Sequence, residues 1–129
     1  MKGLTIIILI LVVSSSIRSF AQPQKIISEI GEWKLEEDEK SRWEFKSNGK
    51  LHFTYLGTNS FHSFTYEILT SKPVCPDVQL AVEPNVKYLK IVNDNDGDVR
   101  CFYIYALNNE RLTLMDALSG KVAPFIRVE

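Results

Sequence analysis

From residue 31 onward, apolar and polar residues alternate in short segments, and turn-forming residues separate the segments. The clearest example is the pair of segments at residues 42–46 and 51–55, which are joined by Ser47-Asn48-Gly49. A period of two places successive side chains on opposite faces of a β-strand. Asn-Gly supplies the positive φ that a tight hairpin turn needs. The pattern therefore predicts antiparallel β-structure.

Eight segments of this kind follow one another along the chain, and most of the turns between them are short. Short turns join neighbouring strands into an up-and-down meander, and closing the meander removes its exposed edges. The connection at residues 71–86 is the exception, because Pro73, Pro76 and Pro84 cannot donate hydrogen bonds to a sheet. We therefore predict an all-β fold, an eight-stranded antiparallel up-and-down β-barrel with strands at residues 33–35, 43–45, 51–55, 64–68, 88–92, 99–107, 112–115 and 122–128.

The first and last predicted strands carry residues suited to closing a barrel. Gly31-Glu32-Trp33 opens the first strand, and Phe125-Ile126-Arg127 closes the last. An arginine beside a tryptophan can stack its guanidinium on the indole face while its nitrogens cap the barrel end. We therefore predict that these strands pair, with Gly31, Trp33 and Arg127 as structural residues of the closure. Residues 26–30 predict one or two helical turns before the first strand.

Residues 1–21 have the three parts of a secretion signal. Lys2 gives a positive start, residues 4–13 are almost all apolar, and Ser19-Phe20-Ala21 provides the small residues of a cleavage site. An apolar run of about ten residues is too short for the ~20 that a membrane-spanning helix needs. The sequence thus predicts a cleaved signal peptide and one mature domain, residues 22–129, in the periplasm or outside the cell, with no cysteine at the cleavage point for a lipid anchor.

The charge balance argues against a nucleic-acid partner. The whole chain has a formal net charge of −1, and loss of the leader removes two of its 15 basic residues and none of its 16 acidic residues. A mildly acidic chain lacks the basic face that phosphate binding requires. No later apolar run is long enough to cross a bilayer. We therefore expect no nucleic-acid partner and no membrane span. We also expect a monomer.

The mature chain has two cysteines, Cys75 and Cys101. In a secreted chain an even pair predicts a disulfide, and closing a loop of about 26 residues would stabilise the fold by ~3.5 kcal/mol in the chain-entropy treatment. A redox or metal-binding pair is not favoured, since there is no C-x-x-C spacing and no histidine near either cysteine. The disulfide would hold the long connection either against the barrel wall or across a barrel mouth.

Several of these features occur together in one known family. The leader, Gly31-x-Trp33 on the first strand, the eight-strand meander and Arg127 on the last strand resemble the small secreted bacterial lipocalin-like proteins. The resemblance spans nearly all of the predicted mature chain, and it extends to Tyr88-Leu89-Lys90-Ile91, Cys101-Phe102-Tyr103-Ile104 and Leu112-Thr113-Leu114. It implies a barrel that holds a small hydrophobic ligand, with Arg127 packed over Trp33.

The interior of an eight-stranded barrel is just wide enough for its own side chains or for one small ligand. Six aromatic residues are predicted to face inward, where they could line a ligand pocket or fill the space. These residues are Trp43, Phe45, Phe53, Tyr55, Phe64 and Tyr66.

Two functions therefore stay open. The first is a carrier that holds a small hydrophobic or amphipathic ligand in a shallow barrel. The alternative is a filled scaffold that binds a protein or a glycan, as an inhibitor or an envelope component. An apolar cavity of ~300 Å³ or more would favour the carrier, whereas a filled interior with exposed aromatic residues near Phe61 or Tyr88 would favour the scaffold.

No set of residues in the sequence forms an acid–base or nucleophilic group. His52 and His62 are both predicted to face solvent, and no serine or cysteine nucleophile motif accompanies them. Residues 93–98 resemble a calcium loop, but the ligand spacing is wrong and no glutamate follows at the twelfth position. They therefore predict a polar hairpin turn, and we expect a non-enzymatic protein with no metal and no cofactor.

Overall fold

A computed structural model of the chain describes Ile27, residues 31–80 and residues 85–128. Eight β-strands form one closed antiparallel barrel in which each strand pairs with its neighbours in sequence, which confirms the predicted fold. The predicted leader, residues 1–21, lies outside the described residues. No helix within the described residues is long and apolar enough to cross a membrane. The strands are β1 (Glu32–Leu35), β2 (Ser41–Phe45), β3 (Lys50–Tyr55), β4 (Phe61–Leu69), β5 (Lys87–Asn93), β6 (Val99–Leu107), β7 (Arg111–Asp116) and β8 (Val122–Arg127).

The barrel closes through its first and last strands, as predicted. Trp33 lies opposite Trp43 on β2 and opposite Arg127 on β8. Because β1 pairs on both sides, the sheet built by these eight strands has no free edge.

Alternate residues of every strand point into the barrel and form its core. Trp33, Phe45 and Phe125 are the largest of the fully buried side chains. The interior cluster consists of Ile27, Trp33, Phe45, Leu51, Phe64, Tyr66, Leu89, Ile91, Phe102, Ile104, Leu112, Leu114 and Phe125. Because an eight-stranded barrel encloses little more volume than its own side chains occupy, this cluster fills most of the interior.

The odd-numbered strands all end at one end of the barrel, which we name the open mouth. Inward-facing side chains near this end, such as Trp43, are only partly buried. The open mouth is bounded by the turns at residues 36–40, 56–60, 94–98 and 117–121.

The opposite end, the closed mouth, is bounded by turns at residues 46–49 and 108–110 and by the described parts of the long connection, residues 70–80 and 85–86. Ile27 is helical, fully buried and part of the interior cluster, so it seals this end. The Gly31 amide donates to the Ile27 carbonyl oxygen at 3.2 Å. Gly31 has a φ of 80°, a left-handed conformation that glycine adopts without strain. Gly31 thus turns the chain from Ile27 into β1.

The long connection lies against the outer wall of the barrel. The predicted disulfide between Cys75 and Cys101 is present, with 6.3 Å between the two Cα atoms. Leu80 is buried in an outer cluster with Cys101 and Tyr103 of β6, whose side chains point away from the interior. This outer cluster shares no residue with the interior cluster. The disulfide therefore fastens residues 71–80 to the wall, not across a mouth.

Residues 93–98 form the predicted polar hairpin turn between β5 and β6. The Asp94 carboxylate fixes this turn to the neighbouring strands: it accepts hydrogen bonds from Ser63 Oγ at 2.7 Å and Thr65 Oγ1 at 2.8 Å, and it pairs with Lys50 Nζ at 3.1 Å. The hydrogen bonds from Ser63 and Thr65, assisted by Lys50, lower the pKa of Asp94 to about 2. The turn is therefore held by a charged network on the outer wall.

Candidate functional site

The six aromatic residues predicted to face inward all lie on the inner side of β2, β3 and β4, and most of them pack against one another. Trp43 stacks on Phe53 with 4.2 Å between ring centroids, and Phe53 lies 4.3 Å from Phe64. Phe45 meets Tyr66 edge to face at 5.1 Å. The rings therefore fill the barrel as a column and do not surround a deep pocket.

The burial of this aromatic column falls toward the open mouth. Phe45 is almost fully buried, Trp43 and Phe53 are partly buried, and Tyr55 at the rim is 38% exposed. The Tyr55 hydroxyl donates to Asp38 Oδ1 at 3.4 Å, and the Asp38 carboxylate raises the pKa of Tyr55. Only the open-mouth end of the column is therefore accessible to a ligand.

A cleft of about 170 Å³ lies beside this accessible end. Its floor is the buried ring of Phe102, whose centroid is 6.0 Å from that of Trp43. The cleft thus has an apolar floor and a partly polar rim. The residues that line it are Leu35, Glu37, Phe102, Asp116, Ser119, Lys121, Val122 and Ala123.

The cleft exists because two inward positions on β7 and β8 carry side chains that leave the space empty. Ala123 lies opposite Leu114 and offers only a methyl group. The Asp116 carboxylate serves the adjacent turn, where Oδ1 accepts the backbone amides of Leu118 at 2.8 Å and Ser119 at 3.3 Å. A capping role of this kind is common for aspartate at turns. The result is a gap above Phe102 with hydrogen-bonding groups at its edge.

Both signs of charge are present near the cleft. Lys121 and Glu37 line it directly. Arg100 lies opposite Ile91, on the inner side of β6 and two residues nearer the open mouth than Phe102. Neither Arg100 nor Lys121 forms an ion pair with another residue in the described ranges. The rim can therefore meet a polar or charged group of a ligand without first breaking an ion pair of its own.

Large apolar side chains are exposed on the turns and at the adjoining strand ends of the same mouth. Leu118 is 71% exposed and Phe61 is 55% exposed, and Leu56 and Val122 are exposed as well. Apolar side chains grouped at one end of a molecule mark a binding surface, whereas scattered ones do not. Tyr88, by contrast, is buried beneath the long connection. Exposed apolar side chains are therefore grouped at the open mouth, and Val74 and Tyr105 are further exposed apolar residues on the outer wall.

The barrel and its cleft were compared with known proteins. No family model, curated protein or solved structure matches the chain. The closed eight-stranded barrel is consistent with the resemblance to lipocalin-like proteins, and membership of that family stays a prediction. Function is therefore inferred from the geometry of the open mouth.

The sequence pattern alone does not identify the residues of the cleft. It places Phe102 and Ala123 on strands but does not show that a gap lies beside them, because the gap depends on how β6, β7, β8 and β1 come together in the closed barrel. His62 is exposed, as predicted, yet it lies opposite Phe53 on the inner side of the barrel. Because alternate residues of β4 face the same side, His62 faces inward as Phe64 does. Across the described residues, no group of three His, Cys, Asp or Glu side chains is placed to hold a metal ion.

Proposed function

We propose that this chain is a non-catalytic binding protein that takes a small amphipathic molecule at the open mouth of its barrel. The observation that carries the proposal is the cleft of about 170 Å³ with its buried aromatic floor and polar rim. Ligand sites in proteins combine an apolar lining with a few polar groups in this way. The packed aromatic column below the cleft supports a shallow site and argues against a deep calyx.

The volume of the cleft limits the size of the ligand. The cleft measures about 170 Å³. This is well below the ~300 Å³ at which pockets for drug-sized ligands begin. We therefore expect a ring or short chain to lie over Phe102 while the polar part of the ligand stays at the rim, near Glu37 and Lys121.

Backbone NMR titration tests this site directly. Phenylbutanol, phenylbutyrate and phenylbutylamine share one apolar body and differ in charge, so together they probe the cleft and its rim. At least one of them should shift the amide signals of Phe102, Asp116 and Ala123. Binding that shifts only signals away from the open mouth would contradict the proposal.

Two matched variants locate the binding event. Ala123→Leu fills the cleft and should abolish the shifts. Ala106→Leu makes the same change on the outer side of β6, where Ala106 is exposed opposite Thr113, and should bind as the unmodified protein does. Equal binding by both variants would place the ligand elsewhere. Native mass spectrometry of protein purified from its secreting host would then name a natural ligand through a stoichiometric adduct.

The filled scaffold is the second candidate function, and the cleft volume below ~300 Å³, the packed interior and the exposed ring of Phe61 all favour it. A filled barrel that presents Leu56, Phe61 and Leu118 around one mouth could dock a protein partner there. The double substitution Phe61→Ser and Leu118→Ser would weaken such docking and leave the cleft residues unchanged. Loss of a defined partner in this variant, with ligand titration unaffected, would favour the docking function over the small-molecule function.

A further inference from the structure

We propose that the disulfide between Cys75 and Cys101 is a redox switch. Its reduction by a dithiol releases residues 71–80 from the outer wall and uncovers an apolar face of β5 and β6, while the barrel stays closed. This face lies on the wall and not at the open mouth, so the proposal does not depend on the proposed binding function.

Residues 71–80, which we name the covering segment, are held to the barrel by the disulfide and by the apolar contacts of Leu80 and Val78 in the outer cluster. Leu80 is buried and Val78 is partly buried, whereas Val74 is 85% exposed. The backbone of the segment makes a local hydrogen bond, from the Val78 amide to the Cys75 carbonyl oxygen at 3.4 Å. Burial of these two apolar side chains does not offset the conformational entropy lost by ordering ten residues. The segment therefore depends on its covalent attachment.

The face beneath the covering segment is aromatic. Tyr88 and Tyr103 are nearly fully buried there, with 5.6 Å between their ring centroids. Tyr105 continues the row, because its ring lies parallel to that of Tyr103 at 6.1 Å and is already 45% exposed. Release of the segment would extend this exposed surface from Tyr105 to Tyr88. A contiguous apolar patch of this kind is a surface for association with other molecules.

The barrel itself does not depend on the covering segment. The interior cluster and the outer cluster have no residue in common. Every strand pairs on both sides within the closed barrel, and none pairs with the segment. Loss of the outer cluster therefore leaves the hydrogen-bonded ladders and the packed interior in place.

Thiol–disulfide exchange begins at Cys75, because Cys101 is buried and Cys75 is only partly buried on the segment. A thiolate of the dithiol attacks Cys75 Sγ, the Sγ–Sγ bond breaks, and Cys101 leaves as a thiolate that takes up a proton. The second thiol of the dithiol then attacks the mixed disulfide and releases the Cys75 thiol. Two electrons and two protons pass from the dithiol, which becomes a cyclic disulfide, to the two cysteines.

Hydrogen exchange measured by mass spectrometry tests the switch in the protein before and after treatment with dithiothreitol. We expect amide exchange in the covering segment to rise about tenfold or more on reduction, as for a locally released segment. The amides of β1, β3 and β8 should keep their protection, and binding of a hydrophobic dye should increase. Alkylation of the freed thiols, read as a mass increase, verifies that the bond was reduced.

Variants separate release from unfolding. The double variant Cys75→Ala and Cys101→Ala should show the exchange pattern of the reduced protein and should not respond to dithiothreitol. Leu80→Ser retains the disulfide and should still respond. Unchanged protection of the covering segment after verified reduction would overturn the proposal. Simultaneous loss of protection in β1 and β8, or a bond that dithiothreitol cannot reduce in the folded protein, would overturn it as well.

Discussion

Trp33 lies opposite Arg127 across the strand pair that closes the barrel. The indole ring is fully buried, and its Nε1 finds no hydrogen-bond acceptor among the described residues. A buried donor without an acceptor costs stability. Trp33 therefore stabilises the closure through the volume of its ring and not through its N–H group.

Substitution of Trp33 separates these two contributions. Trp33→Ala should lower the free energy of unfolding by about 3–5 kcal/mol, as for other large aromatic residues truncated in a core. Trp33→Phe keeps much of the ring volume and removes the unpaired donor. It should therefore lower the free energy of unfolding by less than half as much as Trp33→Ala does. Urea denaturation of both variants measures the difference. Equal losses would mean that the N–H group has a partner after all.

The packed interior predicts a specific response to Phe45→Ala. Truncation of this buried ring should lower the free energy of unfolding by about 3–5 kcal/mol. It should also create a dry apolar cavity that binds benzene. In the Ala123→Leu background, where the cleft is filled, this binding should raise the melting temperature, and Ala123→Leu alone should not respond. Phe61→Ala, at an exposed ring, should change neither property. A benzene response of Ala123→Leu alone would show that the interior is not filled.

Asp94 predicts a defined dependence of stability on pH. Folding lowers the pKa of its carboxyl group from 3.8 to about 2, so its interactions stabilise the fold fully above about pH 4 and are lost as the pH falls toward 2. Asp94→Asn should therefore be less stable than the unmodified protein at neutral pH and equally stable near pH 2. Thermal unfolding followed by circular dichroism across this range measures the convergence.

A control for the charge of Asp94 lies in the same turn. Asp96 accepts the backbone amide of Asp98 at 2.8 Å, a bond that an asparagine side chain can also accept. The stability of Asp96→Asn should therefore depend on pH in the same way as that of the unmodified protein. Convergence of this variant too would assign the pH dependence to the turn as a whole.

The backbone conformation of Gly31, at the closed mouth, should make its substitution destabilising. Its φ of 80° is in the left-handed region, so Gly31→Ala should cost about 1 kcal/mol of unfolding free energy. Asparagine tolerates this conformation better than alanine does, and Gly31→Asn should cost less. Chemical denaturation of both variants tests whether Gly31→Ala loses more unfolding free energy than Gly31→Asn. The reverse order would show that side-chain crowding, and not backbone strain, decides this position.

Most of the fold was predictable because it is encoded locally. Residues 42–55 contain both the period-two alternation and the Asn-Gly turn, and the predicted hairpin forms with Phe45 opposite Leu51. The pairing of β1 with β8, with Trp33 opposite Arg127, and the disulfide between Cys75 and Cys101 were also predictable, since residue type and position restrict both pairs strongly.

The candidate site was predicted only in part because it depends on relations between distant strands. The sequence places the aromatic residues inside the barrel, but it does not determine whether they pack together or surround a space. The cleft forms where Leu35, Phe102 and Ala123 converge from β1, β6 and β8. The shift in register between Ile104 and Ala106 is a further feature that alternation hides, because one extra residue reverses the pattern without a glycine or proline to mark it.

The positions at which β1 begins and β8 ends have a practical consequence. β1 begins with Glu32 and β8 ends with Arg127, and both of these residues lie at the closed mouth. A tag or linker attached on either side of the barrel would therefore hold the cleft facing away from a sensor chip or bead. Ligand screening on an immobilised sample can therefore use a tag on either side of the barrel.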